Sequence, residues 1–476
     1  MKSGRFIGRE RELEAMESEY KRSGSGFMVI FGRRRVGKTR LIQEFMTGKE
    51  GVYYLAADEK DTLQIREIQE MLASYLGDDI MASLKFEGWK EFFRYLERVW
   101  PADKKLVLAI DEVTYIIKNN RSFLSYLQQF WDRFLSGTKT TLILSGSLVN
   151  MVLTDILGGG SPLYGRRTLD IHLRPFRFGE AVGFMEGMNV EEQIRIYSIL
   201  GGVPKYLLEG DRFPELLKNK FFGRNGFFYR EGMFLLSEEF RNPSTYSIAL
   251  RAIAEGKASL KEIADFAGMD GKRMSAYLDM LLDLDLIRRE IPITAQGKRL
   301  RRGVYSISDN FLAFWYRFVH PNRSLIEMDL GEDVFKKEEN SINSFIGKRF
   351  EEICRDVLRE AGWPKVGRWW GSHLVDGEKK QEEIDIVALN EGKKEILFGE
   401  VKWKNRAIGC EVLNDLKRKA SLVAWNSENR TERYLLVSKA GFTKKCVERM
   451  EAENIIYMVP ENLIDWRQNR LLNPNP

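Results

Sequence analysis

The chain alternates strand-like apolar runs with helical patterns. Phe27–Phe31 and Leu106–Ile110 are uninterrupted apolar runs of strand length, Thr140–Ser147 is a further strand with a polar end, and Val52–Ala56 is a short β-rich run. Between them, Leu41, Ile42 and Phe45 mark a helix, and Ile65–Leu76, Trp89–Val99 and Phe123–Phe134 repeat apolar residues at helical spacing. Continuous apolar strands separated by amphipathic helices predict an α/β domain built on a parallel sheet, placed over residues 1–175.

The pattern then changes. Residues 176–240 read as helical with aromatic anchors, a lid-like segment broken by the turn Gly201-Gly202-Val203-Pro204. Residues 241–318 carry three helices (Ile248–Ala254, Ser259–Phe266 and Arg273–Leu284) and then two strands, Ile287–Ile291 and Gly303–Ile307. That is a winged helix-turn-helix pattern. Lys272 and Arg273 open its third helix, and Arg288, Arg289, Lys298, Arg299, Arg301 and Arg302 make the wing basic, so DNA is a candidate partner; a lid that only packs on the first domain is the alternative. The aromatic run Asp309–Val319 reads as core or an interdomain seam, and the charged stretch 319–340 as a linker. Residues 341–476 return to α/β: a helix Ile342–Arg359, alternating strands around Glu383–Ala388 and Ile396–Lys404, a helix from Leu413 and a core strand Tyr434–Ser438.

Composition narrows the function classes. The 476 residues suffice for three or four domains, and 43% hydrophobic with 30% charged residues is ordinary for a globular protein. A net charge of +6 permits a nucleic-acid partner without demanding one. Cys354, Cys410 and Cys446 show neither zinc spacing nor a disulfide framework, which points to a reducing compartment. No apolar run reaches membrane-spanning length and Met1–Arg5 lacks a signal-peptide core, so a cytoplasmic protein with no membrane partner is expected.

The first candidate chemistry follows the first strand, where Gly32-x-x-x-x-Gly37-Lys38-Thr39 opens a helix. Backbone N–H groups of such a turn, aimed by a helix N-terminus, surround a triphosphate without side chains in the way. Lys38 is placed to reach the β- and γ-phosphates, and the Thr39 hydroxyl to bind Mg²⁺. The strand Leu106–Ile110 ends in Asp111-Glu112, where Asp111 can hold Mg²⁺ through water and Glu112 can orient and deprotonate the attacking water. Ser145, at the end of its strand, either senses the γ-phosphate or caps the next helix. Arg166 or Arg167 either reaches the γ-phosphate, in cis or across a subunit boundary that would require an oligomer, or lies in a surface turn.

The second candidate chemistry is in the C-terminal third. Asp385 on one strand, then Glu400 and Lys402 two apart on the next, share a face. Asp385 and Glu400 can bind Mg²⁺, with Glu351 from the flanking helix as a further carboxylate, and Lys402 can orient the water or stabilise charge on phosphorus. An ordinary strand pair with a surface salt bridge is the alternative.

These motifs resemble an archaeal ATPase family fused to the C-terminal domain of unknown function DUF234, over nearly the whole chain. The box Phe6–Leu13, the Gly32–Thr39 loop, Asp111-Glu112, Leu163–Arg167 and Gly202-Val203-Pro204 carry the similarity, which extends to P-loop ATPases of the AAA+ and STAND groups. The resemblance implies ATP or ADP as ligand, with Gly8 and Arg9 near the adenine and Gly202 and Pro204 touching the base. The C-terminal third resembles the PD-(D/E)XK nucleases, with Glu351, Asp385, Glu400 and Lys402 matching, although no Pro-Asp precedes the hairpin. The expectation is an ATPase that couples nucleotide state to DNA binding and Mg²⁺-dependent cleavage. Its rival is an ATP-driven switch with a non-cleaving C-terminal domain.

Overall fold

A computed structural model describes residues 5–240, 242–295, 303–375 and 378–463. The chain forms two compact units, residues 1–175 with 203–208, and residues 176–202 with 209–476.

The first unit is organised by a five-stranded parallel sheet in the order β2-β3-β4-β1-β5: β1 Gly26–Phe31, β2 Gly51–Leu55, β3 Val107–Asp111, β4 Thr141–Gly146 and β5 Leu169–His172. Every residue of β1, β3 and β4 is buried, as three uninterrupted apolar runs require of strands covered on both faces. The flanking helices supply the cover. In Trp89–Val99 the buried residues are Trp89, Phe92, Phe93 and Leu96, one stripe at helical spacing. β5 escapes the sequence pattern because it is an edge strand of four residues with one buried position.

The second unit holds a mixed sheet in the order β12-β11-β10-β9-β8: β8 Lys365–Val375, β9 Glu378–Asn390, β10 Glu395–Lys402, β11 Thr431–Ser438 and β12 Ile456–Met458. β8, β9 and β10 are antiparallel neighbours, whereas β10, β11 and β12 run parallel. One face packs Ile386, Ala388 and Leu397 against Phe350, Ile353 and Leu358 of the helix Gly331–Glu360. Phe178 and Ile194 join that cluster, so the start of the lid-like segment is core in this unit.

The charged stretch expected as a linker is helical instead. Arg323–Glu327 is one helix, and Gly331–Glu360 begins eleven residues before Ile342 and runs through the predicted boundary. Val334 and Phe335 are buried, continuing the apolar stripe of Ile342 and Ile346. The polar residues around them are the helix's exposed faces rather than a break.

Residues 243–307 form the helices Pro243–Ala254, Leu260–Phe266 and Gly271–Asp283, then the antiparallel pair β6 Ile287–Glu290 and β7 Val304–Ile307. Ser259 and Glu262 make a reciprocal capping box on the second helix. Arg288 corrects the picture of a basic wing. Its guanidinium faces inward, pairing with Glu352 and, at 3.4 Å, with Glu290. Lys298, Arg299, Arg301 and Arg302 lie outside the described residues.

Candidate functional site

The phosphate loop begins where β1 runs out. Gly32 has φ +157°, and a Cβ there would stand 2.2 Å from the Leu173 carbonyl oxygen, so the loop leaves the sheet through a gap only glycine fits. Gly37, at φ +97°, caps the helix Lys38–Met46, and a Cβ on it would meet Pro204 Cγ at 3.8 Å. Pro204 therefore does lie beside the loop. Gly8 and Arg9 both take positive φ. Arg9 is buried and ties the loop down: Nη2 donates to the Val36 and Arg174 carbonyls at 3.2 and 2.6 Å.

The acidic pair meets the loop in register. Thr39 Oγ1 donates to Asp111 Oδ2 at 2.6 Å, Tyr53 Oη donates to the same oxygen at 2.7 Å, and Glu112 N donates to Oδ1 at 2.9 Å. Thr39 and Asp111 thus present adjoining oxygens, the donor set that suits Mg²⁺. Burial first, and Asp111 second, push the Tyr53 hydroxyl well above its usual range, so it stays a donor. Lys38 is buried; Nζ donates to the Gly32 carbonyl at 3.0 Å and lies 3.7 Å from Glu112 Oε1. Glu112 Oε2 accepts from Ser147 Oγ at 2.6 Å and Ser147 N at 3.1 Å. Ser145 is fully buried in β4, and its hydroxyl has no hydrogen-bond partner among the described residues. A buried orphan hydroxyl at the sheet's ligand-binding edge suits contact with a ligand oxygen. Arg166 is directed elsewhere, forming a bidentate pair with Asp132 at 2.7 Å on each arm. Gly202 lies in the second unit, where its carbonyl accepts from Phe176 N at 2.8 Å.

Tyr53 and Ser147 are functional neighbours that motif reading missed. Tyr53 lies inside the β-rich run, where alternation marks a strand but not which hydroxyl meets a carboxylate. Ser147 was visible only as the last residue of a polar strand end.

In the second unit, Asp385 Oδ2 accepts from Val401 N at 2.9 Å, which fixes Asp385 against the strand carrying Glu400 and Lys402. Lys402 Nζ donates to Glu400 Oε1 at 2.6 Å, and Lys419 adds a bond to the same oxygen at 3.2 Å. Arg355 donates to the Asp385 carbonyl at 2.7 Å and stands 3.9 Å from Glu351 Oε2. Burial, then the Asp385 charge, push the Glu351 carboxyl up to about 8; burial, then Glu400, push Asp385 up to about 6. Each carboxylate therefore feels a neighbour. Among the described residues, however, no three His, Cys, Asp or Glu side chains converge as a metal cluster, so Glu351, Asp385 and Glu400 do not form the three-carboxylate set expected. Lys419 was not singled out because it sits in the basic run Lys417-Arg418-Lys419 on a helix.

Residues 6–209 match the model of an ATPase domain predominantly from Archaea, and residues 315–419 match DUF234, described as Archaea bacterial proteins of unknown function. The uncharacterized protein MJECL04 of Methanocaldococcus jannaschii is 33% identical over 449 residues, covering 91% of this chain and 95% of that protein. An uncharacterized ATP-binding protein of the same organism, MJ0423, is 40% identical over 45 residues, covering 10% of this chain and 76% of that one. Among solved structures, the Walker-type ATPase PABY2304 of Pyrococcus abyssi aligns with a TM-score of 0.50 at 22% identity, over 66% of this chain and 96% of that chain. No helix among the described residues is long and apolar enough to cross a membrane.

Proposed function

The chain belongs to the archaeal ATPase family that joins this ATPase domain to a C-terminal DUF234 domain, and on that premise we propose that ATP turnover in the first unit governs DNA binding and Mg²⁺-dependent strand cleavage by the second. The ATPase half rests on Lys38, Thr39, Asp111 and Glu112. Lys38 neutralises phosphate charge, Thr39 with Asp111 would hold Mg²⁺, and Glu112 orients and deprotonates the attacking water. Ser145 is the hydroxyl placed to sense the γ-phosphate.

The observation that carries the cleavage half is the placing of half-buried Glu351 and Asp385 beside Glu400 and Lys402, with Glu351 raised by Asp385 and Asp385 raised by Glu400. Negative charge held this way is relieved by a divalent cation, for which Asp385 and Glu400 would be the ligands. Such an ion, when bound, activates water for attack on a phosphodiester. Lys402, moved off Glu400, is then free to meet a phosphate oxygen. The three-helix segment with β6 and β7 is the DNA-binding element in this reading, a winged helix in which exposed Lys272 and Arg273 open the third helix.

The contact of Lys402 and Lys419 with Glu400 favours a second reading, in which the C-terminal sheet binds DNA without cutting it. A cleavage assay with Mg²⁺ or Mn²⁺ on single-stranded, duplex and branched DNA separates them. The nuclease reading expects nicked product from the parent protein, none from Asp385→Ala or Lys402→Ala, and normal ATP turnover in both variants. Product that survives Asp385→Ala refutes the assigned site, and DNA bound but uncut under every condition supports the second reading.

A further inference from the structure

Cys410 and Cys446 lie far apart in the sequence but close together in the fold. Ile408 and Phe442 form a parallel bridge, with Ile408 N bonded to the Gly441 carbonyl at 3.1 Å and Thr443 N to the Ile408 carbonyl at 3.0 Å. Two helices start immediately after that bridge. Cys410 is the N-cap of Glu411–Ala420, and Cys446 lies in the first turn of Lys444–Ala452. Arg449 holds the helices side by side through Asn414 at 2.9 Å, as does the ion pair between Lys417 and Glu453. Cys410 Sγ lies 3.8 Å from the carbonyl oxygen of Lys445, the residue before Cys446, and Cys410 packs against the core cluster that holds Cys446. Cys410 is partly exposed, Cys446 is fully buried, and Cys354 belongs to a different core cluster.

We propose that Cys410 and Cys446 are a redox-active thiol pair that closes to a disulfide when the protein meets a low-molecular-weight disulfide or a hydroperoxide, with Cys410 attacking and Cys446 resolving. With a disulfide oxidant, Cys410 loses its proton to solvent and its thiolate attacks one sulfur, expelling the first small thiolate. Cys446 then attacks the Cys410 sulfur of the mixed disulfide and expels the second. Two protein thiols give up two electrons and two protons, and the oxidant becomes two thiols. With a hydroperoxide, the Cys410 thiolate takes the terminal oxygen as the O–O bond breaks, the other oxygen leaves protonated as an alcohol or water, and condensation of the sulfenic acid with Cys446 releases water. Exposure supports the order, because the oxidant meets Cys410 first. Burial, then the Cys410 neighbour, push the Cys446 thiol up to about 11, which keeps it protonated while Cys410 reacts first.

The bridge would fasten together two helices now joined through side chains. The helix Glu411–Ala420 carries Lys419, the partner of Glu400, in its last turn, so oxidation stiffens the support of that carboxylate.

The test uses the full-length protein incubated with oxidised glutathione, alkylated, and mapped as peptides without reduction. The expected result is a Cys410-to-Cys446 cross-link with Cys354 still a thiol. The melting transition of the second unit should rise by roughly 5–10 °C on oxidation and fall back with dithiothreitol. Cys446→Ser should instead trap glutathione on Cys410 and lose the rise. Glutathione retained on Cys410 of the parent protein with no internal link overturns the proposal, as does a cross-link through Cys354 or complete resistance of all thiols. The parent peptide map decides the matter even if the serine variants fold poorly.

Discussion

Removing Arg288 should cost stability rather than DNA affinity. The side chain leaves β6 and meets Glu352, with Nη1 at 3.1 Å and Nη2 in closer contact. Glu352 also receives Arg349 at 2.9 and 3.0 Å, and Arg349 Nη2 donates to the Ile307 carbonyl at 3.1 Å. Arg288 is 32% exposed and Glu352 22%, so solvent reaches the pair in part and lowers its worth below that of a fully buried one. Burial alone would raise the Glu352 carboxyl; Arg288 and then Arg349 outweigh it and hold the group far below the usual carboxylate range. Stripping a buried ion pair of one member costs about 3–5 kcal/mol. Because Arg349 stays in place, Arg288→Leu should cost about 2–3 kcal/mol at pH 7.

The sign with pH follows from the depressed carboxyl. Its stabilising contribution is complete above the unfolded value, about 4.3, and disappears as pH falls through the folded one. The cost of Arg288→Leu should therefore shrink in acid. Urea unfolding followed by tryptophan fluorescence, at pH 7 and at about pH 3, measures both. An unchanged unfolding midpoint for Arg288→Leu at pH 7 would refute the reasoning.

Three further perturbations follow from the same contacts. Gly32→Ala forces a Cβ toward the Leu173 carbonyl oxygen, 2.2 Å away, and backbone strain of about 1–3 kcal/mol should weaken ATP binding roughly tenfold or more in a fluorescent-nucleotide titration. Ser147→Ala removes the 2.6 Å bond that steadies Glu112; kcat should fall about tenfold with KM unchanged, and an unaltered kcat would show that the bond positions nothing. Glu351 is raised to about 8, so in metal-free protein the neutral form stabilises the fold below the unfolded value, and that stability is lost as pH rises through about 8. Glu351→Gln should flatten the decline in melting temperature between pH 6 and 9, and an identical decline in both proteins would contradict the assignment.

The first unit was legible because its strands are buried on both faces. Phe27–Phe31 and Leu106–Ile110 cannot be amphipathic, and their apolar runs end at Gly32 and Asp111, the points where the chemistry begins. The long helix Gly331–Glu360 was only half legible. Its first part buries few residues, Val334 and Phe335 among them, and so looked like solvated coil. β8 was lost for a different reason: Gly367 and Gly371 interrupt the pattern, and the register shifts between Gly367 and Trp369. At the sites, residue types that chemistry demands were visible, whereas their restraints were not. Tyr53 on Asp111, Ser147 on Glu112 and Lys419 on Glu400 are long-range pairings that no spacing rule carries. Arg288 shows the converse, since a basic residue in a basic stretch reads as a surface charge until a buried carboxylate is found opposite it.

The central claim is that one polypeptide carries two separate divalent-ion sites, one for a nucleotide and one for a phosphodiester. Anomalous diffraction from crystals soaked with Mn²⁺ and a non-hydrolysable ATP analogue tests it most directly. The account predicts one peak beside Thr39 and Asp111 with the analogue's phosphates, and a second beside Asp385 and Glu400 with Lys402 turned away. A full first site with Lys402 and Lys419 still closed on Glu400 and no second peak would contradict it.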